Sequence, residues 1–393
     1  MKQITRRAFV GTGAAASLAS AAGIRAMPVS PPGQSAAQKS ELPQTTVKFM
    51  GDGQSLGPLE YSQVLASIID MKGVAPDHYS RGGVVRELED RMATVLGKER
   101  AVFLATGTLA NHLAVRIQVR GRTRVIVQED SHLYCDSGDC AEVLSNLNLV
   151  TLARGAGTFS LEDVQDVIAR AAGGRVRTGV GVISIESPIR RRFGELFDFG
   201  EMQRICDFAR AKDIATHLDG ARLFMASAYT GIAPAEFAAL FDTVYVSMWK
   251  YFNAPSGAIL AGPAELLDDL YHPRRMFGGA LPGAWPLAAV ALHSIDGFED
   301  RFAAGVKASE ALLPALDAIG QLRVERIPNG SNVFKLHVDV EDLDGVRERL
   351  ARQYVVVPGP ATDFRGFRLN VNETLARRPA AETAGAFEMA LNA

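Results

Sequence analysis

The sequence has little of several features that would assign it quickly to a class. It contains only 3 cysteines in 393 residues, and Cys135, Cys140 and Cys206 lack metal-ligand spacing, so neither a zinc module nor a disulfide framework is indicated. We interpret all three as free thiols. The net charge is −2, and the scattered lysines and arginines form neither a nucleic-acid stripe nor a polybasic membrane patch. We therefore expect small-molecule ligands and no nucleic-acid partner.

Long hydrophobic runs are also missing. Beyond the N-terminal stretch no run is long enough to cross a bilayer, so we expect no membrane helix in the mature chain. With 47% hydrophobic and 22% charged residues, the chain instead has the composition of a globular protein with enough material for two domains.

The N-terminus has its own pattern. Lys2 and the pair Arg6-Arg7 precede a weakly apolar Ala/Gly stretch, and the Thr-Arg-Arg-x-Phe order resembles a twin-arginine export signal. This pattern predicts a signal peptide over residues 1–26 and a periplasmic or secreted mature chain. Residues 27–45 read as a flexible linker. A disordered basic tail is the alternative.

The mature chain alternates short apolar runs with longer amphipathic stretches, which is typical of βα units and a mainly parallel sheet. Strand candidates are AVFLA, RVIVQ, LVTLA, GVGVISIES, IATHLD, TVYVSM and GAILAG. After residue 285 one long helical stretch precedes NVFKLHV, YVVVP and GFRLNV. We predict a large α/β domain over residues 46–285 and a smaller C-terminal α+β domain over residues 286–393.

Chemically distinctive residues follow three of the predicted strands. Thr106-Gly107-Thr108 comes after AVFLA and opens a helix, where free N–H groups, hydroxyls and the helix dipole could hold a phosphate; simple N-capping is the alternative. Asp219 ends IATHLD, where a buried carboxylate needs a cationic partner, although a helix N-cap or a salt bridge to Arg222 would also explain it. Lys250 follows TVYVSM.

These features together meet the requirements of one cofactor. Ligands of parallel sheets bind beyond the carboxyl ends of the strands, and Asp219 and Lys250 are separated by about one βαβ unit. A phosphate cradle, an acid that keeps a pyridine nitrogen protonated and an amine that bonds to an aldehyde are what pyridoxal 5′-phosphate needs.

The segments HLDGAR and SMWKYFNAPSG resemble the core of the threonine aldolase and β-eliminating lyase family of fold type I pyridoxal-phosphate enzymes. The resemblance implies the fold type I architecture, with a large α/β domain and a small α+β domain. It implies that Lys250 bonds to the cofactor and that Gly107 and Thr108 contact its phosphate. His132, in DSHLY, would stack on the cofactor ring, and Glu186 ends a strand as a glutamate does in the family.

The same resemblance implies roles for arginines and an assembly. Arg222 would hold substrate or cofactor anions, and Arg368, in GFRLNVNET, would pair with a substrate carboxylate through its planar fork. Arg274 or Arg275 would add anion contacts. A homodimer or homotetramer with shared active sites is expected.

Departures from the family cluster on the substrate side. Met50-Gly51-Asp52-Gly53 stands in place of R-S-D-T, Arg81-Gly82-Gly83-Val84 in place of D-x-P-T, and Ser187-Pro188-Ile189 in place of a polar stretch with a histidine. Pro282 lies where a glycine-rich segment has an arginine. Tyr79-Ser80-Arg81 instead resembles the Tyr-x-Arg of cystathionine-type lyases.

We therefore expect a pyridoxal-phosphate lyase that cleaves the Cα–Cβ bond of a β-hydroxy amino acid to glycine and an aldehyde. Lys250, His132 and Asp219 are the predicted catalytic residues, and no metal is predicted. β- or γ-elimination, or another pyridoxal-phosphate reaction on a different amino acid, is the alternative. A non-catalytic scaffold that binds the cofactor is a third hypothesis.

Overall fold

The apolar runs of the sequence build a seven-stranded sheet in the computed structural model, which describes residues 43–392. The predicted signal peptide and residues 27–42 of the predicted linker lie outside the described residues.

The strands of the described residues are short and mostly rich in valine, isoleucine and leucine. They are β1 (Val47–Lys48), β2 (Arg100–Leu104), β3 (Arg124–Gln128), β4 (Asn148–Leu152), β5 (Val180–Glu186), β6 (Ala215–Asp219), β7 (Thr243–Ser247), β8 (Ala258–Gly262), β9 (Leu322–Arg326), β10 (Val333–Val338), β11 (Val355–Val356) and β12 (Gly366–Asn370).

Helices fill most of the intervals between the strands. They are α1 (Pro58–Lys72), α2 (Gly83–Leu96), α3 (Gly107–Gln118), α4 (His132–Cys135), α5 (Cys140–Ser145), α6 (Leu161–Ala172), α7 (Phe199–Ala211), α8 (Leu223–Thr230), α9 (Pro234–Leu240), α10 (Ala264–Leu267), α11 (Tyr271–Met276), α12 (Trp285–Ile295), α13 (Phe298–Asp317), α14 (Leu343–Arg352) and α15 (Ala380–Asn392).

The large sheet has the strand order β2-β8-β7-β6-β5-β3-β4. In this sheet β8 runs opposite to the other six strands, which are parallel to one another, so the predicted mainly parallel sheet is confirmed. Every residue of β5, β7 and β8 is buried, as expected for strands covered by helices on both faces.

The register of the sheet places the predicted site residues at one edge. Glu186 pairs with Asp219 across β5 and β6, and Asp219 pairs with Tyr245 on β7. Lys250 follows β7 by three residues, at the same carboxyl edge. The expectation that Asp219 and Lys250 follow neighbouring parallel strands is confirmed.

A second, antiparallel sheet of order β12-β10-β9 lies in the C-terminal part of the chain. The alternating burial of β10 shows that one face packs on a core, which contains Phe334, Leu336 and Phe387. All described residues fall within one compact unit, and the domain boundary expected at residue 285 stays a prediction.

One predicted element is divided in two. The long helical stretch after residue 285 is two helices, α12 and α13, because Gly297 adopts φ +68° between them and interrupts the helical backbone. Within residues 43–392 no single helix has the length and apolar composition of a membrane span, whereas the bent pair α8 and α9 passes that test together. All three cysteines are free thiols, as predicted.

Candidate active site

The residues predicted to cradle a phosphate lie at the start of α3. Thr106 caps the helix, its Oγ1 accepting a hydrogen bond from the Leu109 N–H at 3.2 Å. A Cβ added at Gly107 would lie 2.0 Å from the Tyr245 hydroxyl, so only glycine fits between the cradle and the sheet. Thr108 occupies the second position of a 12-residue helix whose first N–H groups have no helical acceptor.

Asp219 is 4% exposed and its two carboxylate oxygens accept different hydrogen bonds. The Asn111 side-chain amide donates to Oδ2, and the Ala221 N–H donates to Oδ1 at 3.1 Å. Because Arg222 pairs elsewhere, the salt bridge considered from the sequence does not form. A buried carboxylate held in one orientation suits a protonated ring nitrogen as its partner.

Lys250 is partly buried and lies among charged groups of both signs. Burial and the nearby charge of Arg222 lower the pKa of Lys250 to about 8, against the opposing effects of Asp219, Asp52 and Glu186. A substantial fraction of this amine is therefore neutral, and nucleophilic, at mildly alkaline pH.

The loop after Lys250 is tied to the phosphate cradle. The Ser256 hydroxyl donates to the Ala105 carbonyl at 2.7 Å, and Asn253 adopts φ +59°. The loop therefore links Lys250 to Ala105, which directly precedes the Thr106 cap of α3.

His132 and Glu186 are joined by a hydrogen bond. The His132 N–H donates to the Glu186 carboxylate at 2.5 Å, and the Arg190 N–H donates to the same carboxylate at 3.0 Å. Burial is the main cause that raises the pKa of Glu186 to about 7, and burial lowers the pKa of His132. Glu186 thus fixes the segment that presents a neutral His132 imidazole.

Arg222 forms a buried ion pair that the sequence analysis did not predict. Its Nε donates to Asp52 Oδ2 at 2.7 Å, and the amides of Asn332 and Asn370 donate to Asp52 Oδ1 at 3.0 and 3.2 Å. Burial raises the pKa of Asp52, but the charge of Arg222 and the Asn332 hydrogen bond outweigh burial and lower it overall. The sequence signal for this ion pair was Asp52, because it is the aspartate that Met50-Gly51-Asp52-Gly53 shares with R-S-D-T.

Gly53 brings that segment against the loop that contains Lys250. A Cβ at Gly53 would lie 2.9 Å from the Tyr251 Cα and 3.1 Å from the Lys250 carbonyl oxygen. The segment forms one wall of a cavity of about 620 Å³, which is also lined by Tyr61, Trp249 and Lys250. This volume suits a small-molecule ligand.

Arg368 is paired with other side chains in this structure. Its guanidinium pairs with Asp363 at 2.8 Å and stacks on the Phe193 ring, 4.2 Å from the centroid. Arg368 is not among the residues that line the cavity beside Lys250.

Two of the segments that depart from the family pattern contact each other. The Tyr79 N–H donates to the Pro282 carbonyl at 3.1 Å, and the Ser80 hydroxyl meets the Leu281 backbone. Arg274 is buried and donates to the Phe103 carbonyl at 2.7 Å, while Arg275 stacks on Tyr79. These two segments therefore pack against each other.

The residues fit pyridoxal 5′-phosphate on their own geometry. The glycine-only cradle, the oriented Asp219 carboxylate and the Lys250 amine of lowered pKa lie at one edge of the sheet. The fold and this site define a fold type I pyridoxal-phosphate enzyme.

Comparison with known proteins narrows the class. The family model described as beta-eliminating lyase matches residues 71–338, and the chain belongs to that family. A low-specificity L-threonine aldolase of Candida albicans is 28% identical over 56% of this chain and 58% of its own length. The alanine racemase TOXG of Cochliobolus carbonum is 28% identical over 53% of each chain.

A solved structure covers more of the chain. A proposed L-allo-threonine aldolase of Listeria monocytogenes superimposes with a TM-score of 0.73 at 25% identity, over 89% of this chain and 97% of that one. By contrast, the chain matches 62 and 58% of the length of the first curated relatives.

Proposed function

We propose that the protein is a pyridoxal-phosphate lyase that cleaves the Cα–Cβ bond of a β-hydroxy amino acid, giving glycine and an aldehyde. The observation that carries the proposal is the juxtaposition of Lys250, Asp219 and the Gly107 cradle at one sheet edge. Similarity to the Candida albicans and Listeria monocytogenes proteins supports the choice of reaction.

Each residue has a defined task in this proposal. The bound cofactor would withdraw electrons from the substrate Cα. Gly107 and Thr108 would bind the phosphate, Asp219 would hold a proton on the ring nitrogen, and the neutral His132 ring would lie against the cofactor. Lys250 would hold the cofactor and, as a free amine, would carry a proton to the substrate Cα.

Binding of the substrate carboxylate falls to an arginine in this proposal. Arg222 lines the cavity beside Lys250, but its Nε already donates to Asp52. Arg368 is the second candidate, and binding there would compete with the Asp363 pair.

A panel of amino acids tests the reaction. Threonine and allo-threonine should each be cleaved to one glycine and one acetaldehyde per molecule. Lys250→Ala should reduce this activity at least 100-fold, while its circular dichroism spectrum stays that of the parent. A Lys250→Ala variant that cleaves threonine at the parent's rate would refute the mechanism.

The same panel separates the second candidate. β-Elimination from serine or cysteine derivatives would give pyruvate and ammonia, and the altered substrate-side segments are the reason to test it. Racemisation of L-alanine would give D-alanine, and similarity to the Cochliobolus carbonum racemase is the reason to test that reaction. The absence of any turnover across the panel would favour a scaffold that only binds the cofactor.

We further propose twin-arginine export and a periplasmic or secreted location, on the pattern Thr5-Arg6-Arg7 followed by an Ala/Gly stretch. Replacing both Arg6 and Arg7 by lysine should leave the full-length precursor in the cytoplasm, whereas the parent should appear as a shorter chain outside it. Fractionation with immunoblotting checks this, and an uncleaved cytoplasmic parent would contradict it.

The proposed assembly is a homodimer or homotetramer with shared active sites. Its support is the set of exposed apolar side chains beside the cavity, Met50, Leu59 and Trp249, which are 40, 52 and 52% exposed in the single chain.

A further inference from the structure

Behind Asp219 lies a row of buried polar side chains that the mechanism does not use. Asn111, Gln118, His217 and Thr243 are each at most 2% exposed, and they come from α3, β6 and β7. Buried polar groups at this depth are stabilised only when they are hydrogen-bonded, so their pattern of bonds is informative.

The Asp219 end fixes the direction of the first bonds. A carboxylate accepts only, so Asn111 must turn its NH₂ group toward Asp219, and this leaves its carbonyl oxygen facing His217 Nε2 at 2.9 Å. That oxygen also accepts only, so His217 carries its proton on Nε2. Burial lowers the pKa of His217 to about 4, which agrees with a neutral ring.

The far end fixes the remaining bonds. Neutral His217 has an acceptor at Nδ1, so the Thr243 hydroxyl, 2.8 Å away, donates to it. The Gln118 amide donates both to the Ala114 carbonyl at 2.9 Å and to the Thr243 oxygen at 2.7 Å. Because a backbone carbonyl only accepts, the orientation of the Gln118 amide is fixed as well.

We infer that Gln118, Thr243, His217 and Asn111 form a one-directional relay of hydrogen bonds that positions the Asp219 carboxylate for the cofactor ring. Each bond between neighbours in the row is donated in the direction of Asp219, and successive bonds of this kind polarise one another. Asn111 and Gln118 lie on the helix that begins at Gly107, so α3 positions both the phosphate end and the ring end of the cofactor.

The relay residues are positioning residues, since they act through Asp219. The inference rests on the cofactor in the proposed function but not on the reaction or the substrate. It gives a task to two buried residues outside the proposed mechanism, His217 of HLDGAR and Asn111 of α3.

Paired threonine variants test the relay. Thr243→Val keeps the shape of the side chain but removes the hydroxyl, and we expect apo protein to bind pyridoxal 5′-phosphate about 3- to 10-fold more weakly, with an altered absorption spectrum of the bound cofactor. Thr243→Ser keeps the hydroxyl and should restore both to parent values. Asn111→Leu removes the bond to the charged group and should weaken binding about 10- to 100-fold.

Thr216 supplies the matched control. It is 4% exposed on β6, and its hydroxyl bonds Asp242 at 3.0 Å, outside the relay. Thr216→Val should lower Tm as Thr243→Val does but leave cofactor affinity and spectrum unchanged.

Each outcome bears on the relay. If Thr243→Val and Thr216→Val bind the cofactor equally well, or if Thr243→Ser is as weak as Thr243→Val, the relay is overturned while the proposed function stands. A parent that binds no pyridoxal 5′-phosphate overturns both.

Discussion

At the scale of single residues, the environment of Lys250 sets the pH at which its amine can react. Burial and Arg222 lower the pKa of Lys250 to about 8, compared with 10.5 for an ordinary lysine. The rate at which apo protein captures pyridoxal 5′-phosphate should therefore rise with pH and reach its midpoint near 8. Stopped-flow absorbance measures this rate, and N-acetyl-lysine, with a pKa of about 10.4, corrects for ionisation of the free cofactor.

Arg222→Gln sharpens the test of the lysine. It removes a cation and leaves the Asp52 carboxylate without its 2.7 Å partner, and both changes favour the protonated amine. The midpoint should move upward in this variant. A midpoint that stays near 8 in Arg222→Gln would mean that Arg222 does not tune the lysine.

At the scale of elements, Glu89 joins α2 to the edge strand β2 by accepting the Phe103 N–H at 2.9 Å. Burial raises the pKa of Glu89 from 4.5 to about 7, so the folded state binds its proton more tightly than the unfolded state does. The stability that the protonated carboxyl contributes is complete below pH 4.5 and is lost as the pH rises through 7. The difference amounts to at most about 3 kcal/mol.

Glu89→Gln should remove that loss. The free energy of unfolding of Glu89→Gln minus that of the parent should increase from pH 5 to pH 8, as measured by urea denaturation at each pH. Glu87→Gln, an exposed position on the same helix, controls for the substitution. Parallel pH curves for parent and Glu89→Gln would contradict the assignment.

Strands were the elements most readily predicted from the sequence. RVIVQ coincides with β3, and the other six predicted strands of the large sheet lie within a residue of their observed bounds, because buried parallel strands are continuous runs of β-branched and aliphatic residues. The residues Leu322–Arg326 of β9 were missed, since this strand alternates with charged residues and has no apolar run.

The site was predictable where one residue follows one strand. Asp219 and Lys250 could be placed from topology alone. Asp52 and His217 could not be assigned, because their partners lie far away in sequence: Asp52 meets Asn332, and His217 meets Asn111. Local patterns carry no information about such distant pairings.

At the scale of the whole molecule, the exposed Trp249 next to Lys250 bears on assembly. Light scattering should give a mass of at least two chains, and dilution should shift the tryptophan emission to longer wavelength as Trp249 becomes hydrated. Trp249→Phe should abolish the shift, whereas Trp285→Phe should retain it. A monomer with full activity would contradict the proposed assembly.

The ion pair and hydrogen bonds around Asp52, here called the Asp52 cluster, also determine when the site can form during synthesis of the chain. Its members are Asp52 near the start of the folded sequence, Arg222 at the middle, and Asn332 and Asn370 toward the end. Contacts of such long sequence separation form late in folding. A ribosome must therefore finish nearly the whole polypeptide before the wall beside Lys250 closes, so the cofactor would be acquired by completed chains.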